Sequence, residues 1–261
     1  MKFKRKVIAL ESRLNACRNV ITLGVKPNFS DYGKETIAMI QDSEQIYYPS
    51  SFYAGLFETG KKLIFPSYQT YVYAQDKIKQ TALFQTSGLP HPRTRFFYGC
   101  RQKKSIKAHF QFPFIAKIPR GSARGKGVFL IKNDNELDTY NALTHVSYIQ
   151  DYLKADQDIR VICIGGEVIT AYYRVAASND FRSNISCGGA ITDEPVPGEA
   201  IELARFAARK FRWNDCGIDI IPFEKKYYII EANMKYGKQG LKKKGIDYFR
   251  LMEQLIENGK I

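Results

Sequence analysis

The chain has 261 residues, of which 44% are hydrophobic and 25% are charged, so it is long and apolar enough to fold around a core. No apolar run approaches the roughly 18 residues of a membrane span, and the apolar patch at residues 7–10 is too short for the core of a signal peptide. Five scattered cysteines without a Cys-x-x-Cys pair exclude a disulfide framework and a zinc ribbon. These features predict a cytoplasmic protein that does not bind membranes.

The net charge of +14 is unevenly distributed along the sequence. Residues 77–133 contain thirteen lysines and arginines and no acidic residue. A second basic cluster consists of Lys235, Lys238, Lys242, Lys243 and Lys244. Such segments are typical of a solvated basic face, or of a surface that binds polyphosphate or nucleic acid.

In the first half of the chain, the sequence pattern predicts short strands at residues 7–10 and 20–23. No Gly-x-Gly-x-x-Gly motif follows a strand, so a dinucleotide site is not supported. A helical pattern covers residues 72–86 and stops at Gly88. The β-rich runs 112–117 and 128–131 then enclose a basic, glycine-rich loop, which predicts a hairpin and not a strand followed by a helix.

In the second half of the chain, predicted hairpins alternate with predicted helices. Residues 159–164 and 168–175 flank Gly165-Gly166, a strong hairpin signal. An amphipathic helix at 199–211, a second antiparallel pair at 217–223 and 227–232, and a closing helix at 246–256 follow. This order predicts an α+β protein built mainly from antiparallel hairpins.

Lys117 is predicted within an apolar strand, where a lysine is costly to bury without an anionic partner. The loop that follows, Gly121 to Gly127, carries three glycines together with Arg124 and Lys126. Glycines let the backbone approach a ligand closely, and the basic side chains suit phosphate oxygens. The loop therefore indicates a phosphate site, and the alternative is an ordinary basic hairpin turn.

Asp219 lies at the centre of another apolar strand, and Glu231 and Asn233 end the next one. Glu231 and Asn233 are two residues apart, so both point to one face of a strand. Two carboxylates and an amide oxygen suit magnesium, which also takes water and phosphate ligands. The alternative is a solvent-facing edge of the sheet.

Arg174 is a further cation within a predicted strand, and Arg182-Ser183-Asn184 follow it in a polar segment. Both groups suit either structural ion pairs or the binding of phosphates or a carboxylate substrate.

The order of these motifs resembles the ATP-grasp superfamily, and within it the RimK-type carboxylate–amine ligases, which include glutamate ligases and glutathione synthetase-like enzymes. The resemblance covers about residues 72–235. It rests on the lysine strand, the Gly-Ser-x-x-Gly-x-Gly-Val loop, Gln150-Asp151-Tyr152, Asp158-Ile159-Arg160, Gly165-Gly166-Glu167-Val168, Phe181-Arg182-Ser183-Asn184, Gly217-Ile218-Asp219 and Glu231-Ala232-Asn233.

The resemblance implies an ATP-grasp fold, in which two α+β lobes clasp ATP behind a short N-terminal α/β region. The implied boundaries are 1–72 for the N-terminal region, 73–149 for the lobe with the lysine strand and 150–261 for the lobe with the metal site. The implied reaction joins a carboxylate to an amine, with ATP converted to ADP and phosphate through an acyl phosphate.

The resemblance also implies a role for each matching residue. Arg174 and Lys117 would act on the reacting groups, and Mg²⁺, or Mn²⁺ in its place, would be held by Asp219, Glu231 and Asn233. The nucleotide would be bound by Lys77, Lys117, Gly121, Ser122, Gly125, Gly127, Asp151, Tyr152, Asp158, Arg182, Ser183 and Asn184.

Substrate identity stays open because the sequence departs from the family after the metal site. Met234-Lys235-Tyr236-Gly237 replaces the usual small residue, proline and glycine. The expected partners are small-molecule or peptide carboxylates and amines, with an acidic protein tail as one candidate and homo-oligomers allowed. The sequence leaves two alternative functions: a regulatory ATP-binding protein without ligase activity, and a basic nucleic-acid-binding protein, which the position of the charge disfavours.

Overall fold

The computed structural model describes residues 6–74, 76–121, 127–177 and 188–261, and within these ranges the chain forms three sheets. No helix in the described ranges is long and apolar enough to cross a membrane. The elements confirm the predicted mixture of helices with mostly antiparallel strands.

The N-terminal region is a parallel sheet with the strand order β2-β1-β3-β4. The two strands predicted here are confirmed, whereas β3, β4 and the helices between them were not predicted. Every strand has only three residues, too few to show an alternating pattern. The elements are β1 Val7–Ala9, β2 Val20–Thr22, α1 Lys34–Asp42, β3 Gln45–Tyr47, α2 Ser50–Thr59, β4 Leu63–Phe65 and α3 Tyr68–Tyr73.

A second, antiparallel sheet has the order β5-β8-β6-β7. The predicted hairpin around the glycine-rich loop is confirmed, because β6 and β7 pair antiparallel and bring Lys117 opposite Val128. The elements are α4 Lys77–Ser87, β5 Thr94–Tyr98, α5 Gly99–Lys103, α6 Ile106–His109, β6 Phe114–Lys117, β7 Val128–Ile131, α7 Asp134–Leu143 and β8 Val146–Asp151.

The third sheet has the order β11-β10-β9-β12-β13, and it confirms both predicted hairpins in the second half of the chain. Helix α8 packs its alanine-rich face on this sheet. The elements are β9 Gln157–Ile164, β10 Glu167–Val175, β11 Ala190–Ile191, α8 Gly198–Lys210, β12 Asp215–Phe223, β13 Lys226–Asn233, α9 Gln239–Lys243 and α10 Tyr248–Glu257.

The continuous helix predicted for residues 72–86 is wrong at its start. Helix α3 ends at Tyr73, and α4 begins at Lys77. The Asp76 carboxylate accepts hydrogen bonds from the backbone amides of Ile78 and Lys79, so Asp76 is the N-cap of a new helix. The predicted stop is confirmed, since Gly88 ends α4 in the left-handed conformation with φ of 66°.

The hydrophobic cores connect parts of the chain that are far apart in sequence. Phe84 of α4 packs with Trp213 and the third sheet, and Met252 of α10 packs with Ala9 and Leu14 of the N-terminal region. Both contacts run across the boundaries expected from the resemblance, and the division at residues 72 and 149 stays a prediction.

Helix α9 is fitted closely to the third sheet through Gly240. A Cβ atom at this position would overlap the ring of the buried Tyr172 in β10. Gly237, three residues earlier, has no atom within 4 Å of the position where its Cβ would lie.

We expect Gly240→Ala to lower the free energy of unfolding by roughly 1–3 kcal/mol, because the added methyl group overpacks the contact with Tyr172. Gly237→Ala is the matched control and should change stability by less than about 0.5 kcal/mol. Urea denaturation measures both values. Equal stability of the two variants would contradict the close packing of α9.

Candidate functional site

A cleft of about 1490 Å³ lies where the N-terminal region, the second sheet and the third sheet meet. Of the sixteen site residues predicted from the sequence, the eleven within the described ranges all line this cleft. They are Lys77, Lys117, Gly121, Gly127, Asp151, Tyr152, Asp158, Arg174, Asp219, Glu231 and Asn233. The other five, Ser122, Gly125, Arg182, Ser183 and Asn184, lie outside the described residues.

Strand register places opposite charges side by side on the floor of the cleft. Arg174 of β10 lies opposite Asp158 of β9, and Arg160 of β9 lies opposite Asp219 of β12. Asp219 in turn lies opposite Glu231 of β13. Residues paired across strands, and residues two apart along one strand, point to the same face, so four strands contribute to one charged surface.

Asp219 accepts hydrogen bonds from two buried guanidinium groups. Arg160 binds it through Nε and, at 2.8 Å, through Nη2, and Nη2 of Arg174 lies 3.1 Å from its Oδ2. Arg174 also forms a two-pronged pair with Asp158 at 2.7 and 2.6 Å. All four side chains are at least 90% buried, so the network is a low-dielectric one in which paired charges interact strongly.

The charges within this network affect one another's protonation. Burial alone would lower the pKa of Arg174, but Asp158 and Asp219 outweigh burial and raise the pKa above its usual value, so Arg174 stays cationic. Burial raises the pKa of Asp158, and the neighbouring Arg174 opposes that rise.

Arg160 belongs to the sequence motif Asp158-Ile159-Arg160 but is not among the site residues that the sequence predicts. Its stem crosses the backbone of Gly217 to reach Asp219, and a Cβ on Gly217 would lie 2.9 Å from Arg160 Cδ. The sequence signal for Arg160 was a charge that alternates with apolar residues in a strand, as for Asp158. A side chain at position 217 would therefore force the side chain of Arg160 or Tyr236 to move.

Glu231 is surrounded by cations and an amide. Lys77 Nζ lies 3.4 Å from its Oε2, and the Asn233 amide donates a 2.7 Å hydrogen bond to its Oε1. Burial alone would raise the pKa of this carboxyl. Lys77 and Lys117 outweigh burial, with help from the Asn233 hydrogen bond, and lower the pKa to about 2. Glu231 is therefore ionised at neutral pH.

Lys117 is 4% exposed, and its Nζ lies 5.5 Å from the ring centre of Tyr148. Burial lowers the pKa of Lys117 to about 8, with Glu231 opposing the effect and Lys77 adding to it. No salt bridge joins Lys117 to a carboxylate within the described ranges. A buried ammonium group without a close partner is a favourable site for an anionic ligand.

The predicted magnesium ligands lie next to one another at the same part of the cleft. Asp219 and Glu231 are directly paired across β12 and β13, and Asn233 contacts Glu231. Three oxygen donors from side chains fit magnesium, whose remaining ligands are commonly water and phosphate. The described ranges hold no group of three or more His, Cys, Asp or Glu side chains arranged for a metal.

The side chain of Asp151, at the end of β8, is engaged elsewhere. It forms a two-pronged pair with Arg93, with Nε···O and Nη2···O distances of 3.0 and 2.8 Å. The carboxylate of Asp151 is therefore occupied by Arg93 in this structure. Gly121, at the start of the glycine-rich loop, has a positive φ of 70°, which L side chains adopt rarely.

Comparison with solved structures identifies the fold. The ATP-grasp ligase PsnB, solved with its minimal precursor, aligns with a TM-score of 0.70 and 18% identity over 98% of this chain and 99% of PsnB. The fold is therefore an ATP-grasp fold. The RimK-like ATP-grasp domain matches residues 74–257. The chain belongs to the RimK-like ATP-grasp family, which confirms the resemblance seen in the sequence.

Curated relatives support this assignment. A probable alpha-L-glutamate ligase from Parasynechococcus marenigrum is 33% identical over 70% of this chain and 41% of the relative. A ribosomal protein bS6–L-glutamate ligase from Escherichia coli is 30% identical over 70% of this chain and 64% of the relative. The chain thus spans less than two thirds of the length of these two relatives.

The structure predicts that the buried ion pairs affect stability far more than exposed ones do. Arg174→Met leaves Asp158 buried without its guanidinium partner, and we expect the free energy of unfolding to fall by about 3–5 kcal/mol. The control is Arg209→Met, which removes an exposed pair with Glu167 and should cost at most about 1 kcal/mol. Urea denaturation of both variants measures the difference, and equal losses would contradict the buried network.

Proposed function

We propose that the protein is an ATP-dependent ligase that joins a carboxylate to an amine through an acyl phosphate, with ADP and phosphate as products. The observation that carries this proposal is the gathering of Lys77, Lys117, Arg174 and three oxygen donors in one cleft of an ATP-grasp fold. Membership of the RimK-like family and relatives named as glutamate ligases support the same activity.

Two steps make up the proposed reaction. A carboxylate oxygen of the first substrate attacks the γ-phosphorus of ATP, and the bond to ADP breaks. The amine of the second substrate then attacks the acyl carbon, phosphate leaves, and the nitrogen loses a proton to give the amide. No covalent bond to the protein is needed, so catalysis depends on positioning and on the neutralisation of charge.

The chain's own residues supply most of that neutralisation. Lys117 would bind the α- and β-phosphates, because it is a buried ammonium without a close carboxylate partner among the described residues. Arg174 is proposed to stabilise the transferred phosphoryl group or the substrate carboxylate. Its charge is fixed by Asp158, which keeps the guanidinium cationic and in one orientation.

Asp219, Glu231 and Asn233 are the residues that would hold Mg²⁺. The ion, when bound, supplies positive charge that offsets the phosphate oxygens. Glu231 is suited to this role because its pKa of about 2 keeps it ionised at every physiological pH. Asp219 would then share its charge between the ion and the two arginines that hold it in place.

The proposed substrates are amino acids or peptides that carry carboxylates. The relatives are named for L-glutamate and, in one case, for a ribosomal protein. Lys235 lines the cleft just beyond Asn233, where the sequence departs from the family. A basic residue at this position favours an acidic substrate, with an acidic peptide or protein tail as the proposed acceptor.

The activity is tested by incubating the protein with Mg²⁺ and ATP and with pools of amino acids and acidic peptides. We expect ADP formation that depends on one pool, together with a product whose mass is the sum of two substrates minus water. Mass spectrometry identifies the product. ADP release without any condensed product would contradict the ligase proposal.

Glu231→Gln tests the metal site in the same assay. Loss of this carboxylate should lower the rate of ADP formation at least about 100-fold, because charge stabilisation in the cleft is lost. Glu167→Gln, an exposed acid of the same sheet, is the matched control and should keep the normal rate. A Glu231→Gln variant that is folded and fully active would show that the metal assignment is wrong.

A further inference from the structure

One end of the cleft is formed by the carboxyl ends of parallel strands in the N-terminal region. Residues 10–13 follow β1, Thr22 ends β2, and Gly24 and Val25 follow it, and all of them line the cleft. Strand β1 lies between β2 and β3, so the connection after β1 runs to one side of the sheet and the connection after β2 crosses back to the other side. Ligands of open α/β sheets bind in the crevice at such a point.

Arg13 is one of the cations at this end of the cleft, and the hydrogen-bond donors of its guanidinium group are only partly used. The guanidinium group lies over the rings of Tyr48, Tyr236 and Tyr248, with the closest ring centre, that of Tyr236, at 4.6 Å. Nε donates to the Tyr248 hydroxyl at 3.0 Å, and Nη2 is buried without a hydrogen-bond partner.

The carboxylate nearest to Arg13 is already occupied. Asp215 lies 3.8 Å from Arg13 Nε, but its two oxygens accept hydrogen bonds from Tyr48 at 2.8 Å and from Tyr236 at 2.6 Å. A guanidinium group has five N–H donors in a planar fork that matches a carboxylate. Arg13 therefore keeps the capacity to bind a further anion.

Two lysines add to the positive charge here. Lys235 and Lys238 line the cleft, and no described carboxylate lies within 4 Å of either ammonium group. The Lys238 ammonium is held 4.1 Å from the ring centre of Tyr248 and 4.0 Å from that of Phe249. The Arg13 guanidinium lies over the same Tyr248 ring, 5.4 Å from its centre, so both cations contact one aromatic ring. Burial, and after it the charge of Arg13, lowers the pKa of Lys238.

Among the described residues, one acid lines this end of the cleft beside these cations. Glu11 lines it, and its pKa is raised by burial and lowered by Lys235 and Arg13. Three cations thus face the two carboxylates of Glu11 and Asp215, which leaves one positive charge in excess. In the same basic cluster, but away from the cleft, Lys243 and Lys244 are paired with Asp193.

We propose that Arg13, Lys235 and Lys238 form a subsite for a carboxylate group of the substrate, carried either by a free amino acid or by an acidic peptide. The lysines act as point charges and Arg13 as a fork-shaped donor, and one bound carboxylate balances the excess charge. The segment that carries both lysines directly follows Asn233, so the subsite adjoins the proposed metal site. This inference rests on the proposed ligase function for the use of the bound carboxylate.

The test measures binding by calorimetry, with and without Mg²⁺ and the non-hydrolysable analogue AMPPNP. The probes are L-glutamate and tetraglutamate, each paired with its neutral counterpart, L-glutamine or tetraglutamine. Whichever acidic probe binds the wild type tighter than its neutral counterpart identifies the source of the carboxylate. Binding of AMPPNP is recorded separately, so a failure of the nucleotide site is distinguished from a failure of the subsite.

The test variant is Lys238→Gln, and Lys242→Gln is the matched control because Lys242 is an exposed residue of the same cluster that does not line the cleft. We expect Lys238→Gln to weaken binding of the acidic probe about tenfold, or about 1.4 kcal/mol. Binding of the neutral probe should not change. Lys242→Gln should stay within about twofold of the wild type. Arg13→Lys keeps the positive charge but loses the planar set of guanidinium donors, and it should also weaken binding of the acidic probe about tenfold.

Three results would overturn the proposal. The first is an acidic probe that binds the wild type no better than its neutral counterpart. The second is equal binding of the acidic probe by Lys238→Gln and Lys242→Gln. The third is a Lys238→Gln variant that loses AMPPNP and both probes alike, because a general loss would indicate a structural role for Lys238.

Discussion

The structure of the cleft depends on the ion pairs that join Asp219 to Arg160 and Arg174. Burying charged groups costs several kcal/mol for each ion, and the cost is offset only when partners and hydrogen bonds are fully supplied. Antiparallel pairing supplies them, because Arg160 lies directly opposite Asp219. Gly217 then leaves room for the arginine stem. The register of the strands therefore decides which charges lie side by side in the cleft and also makes their burial possible.

The same principle explains how the cleft is suited to an anionic ligand. Asp158, Asp219 and Glu231 hold guanidinium and ammonium groups in place, and Lys117 is left buried without an acid in salt-bridge contact among the described residues. The basic, acid-free segment of the sequence contributes Lys117 and Lys77 to the cleft, and Lys77 is paired with Glu231. Part of the large positive charge is thus placed where phosphates are proposed to bind, which weakens the case for nucleic acid as the partner.

Much of the fold and of the candidate site could be predicted, because the informative signals were local. Lys117, Asp219 and Glu231 could be recognised because each is a charged residue in an apolar strand, and a hairpin signal placed Asp219 and Glu231 on neighbouring strands. The N-terminal sheet was only half predicted, since its three-residue strands show no periodicity. Arg13 was missed because its environment is formed by tyrosines from distant segments, with Tyr248 235 positions away.

The affinity for AMPPNP, measured by calorimetry in Mg²⁺ and again in excess EDTA, tests most directly whether the cleft is an ATP site completed by a metal. We predict binding at least about tenfold tighter with Mg²⁺, because Asp219 and Glu231 would hold the ion and its positive charge would offset the phosphates. Equal affinity under both conditions, or no binding in Mg²⁺, would contradict it.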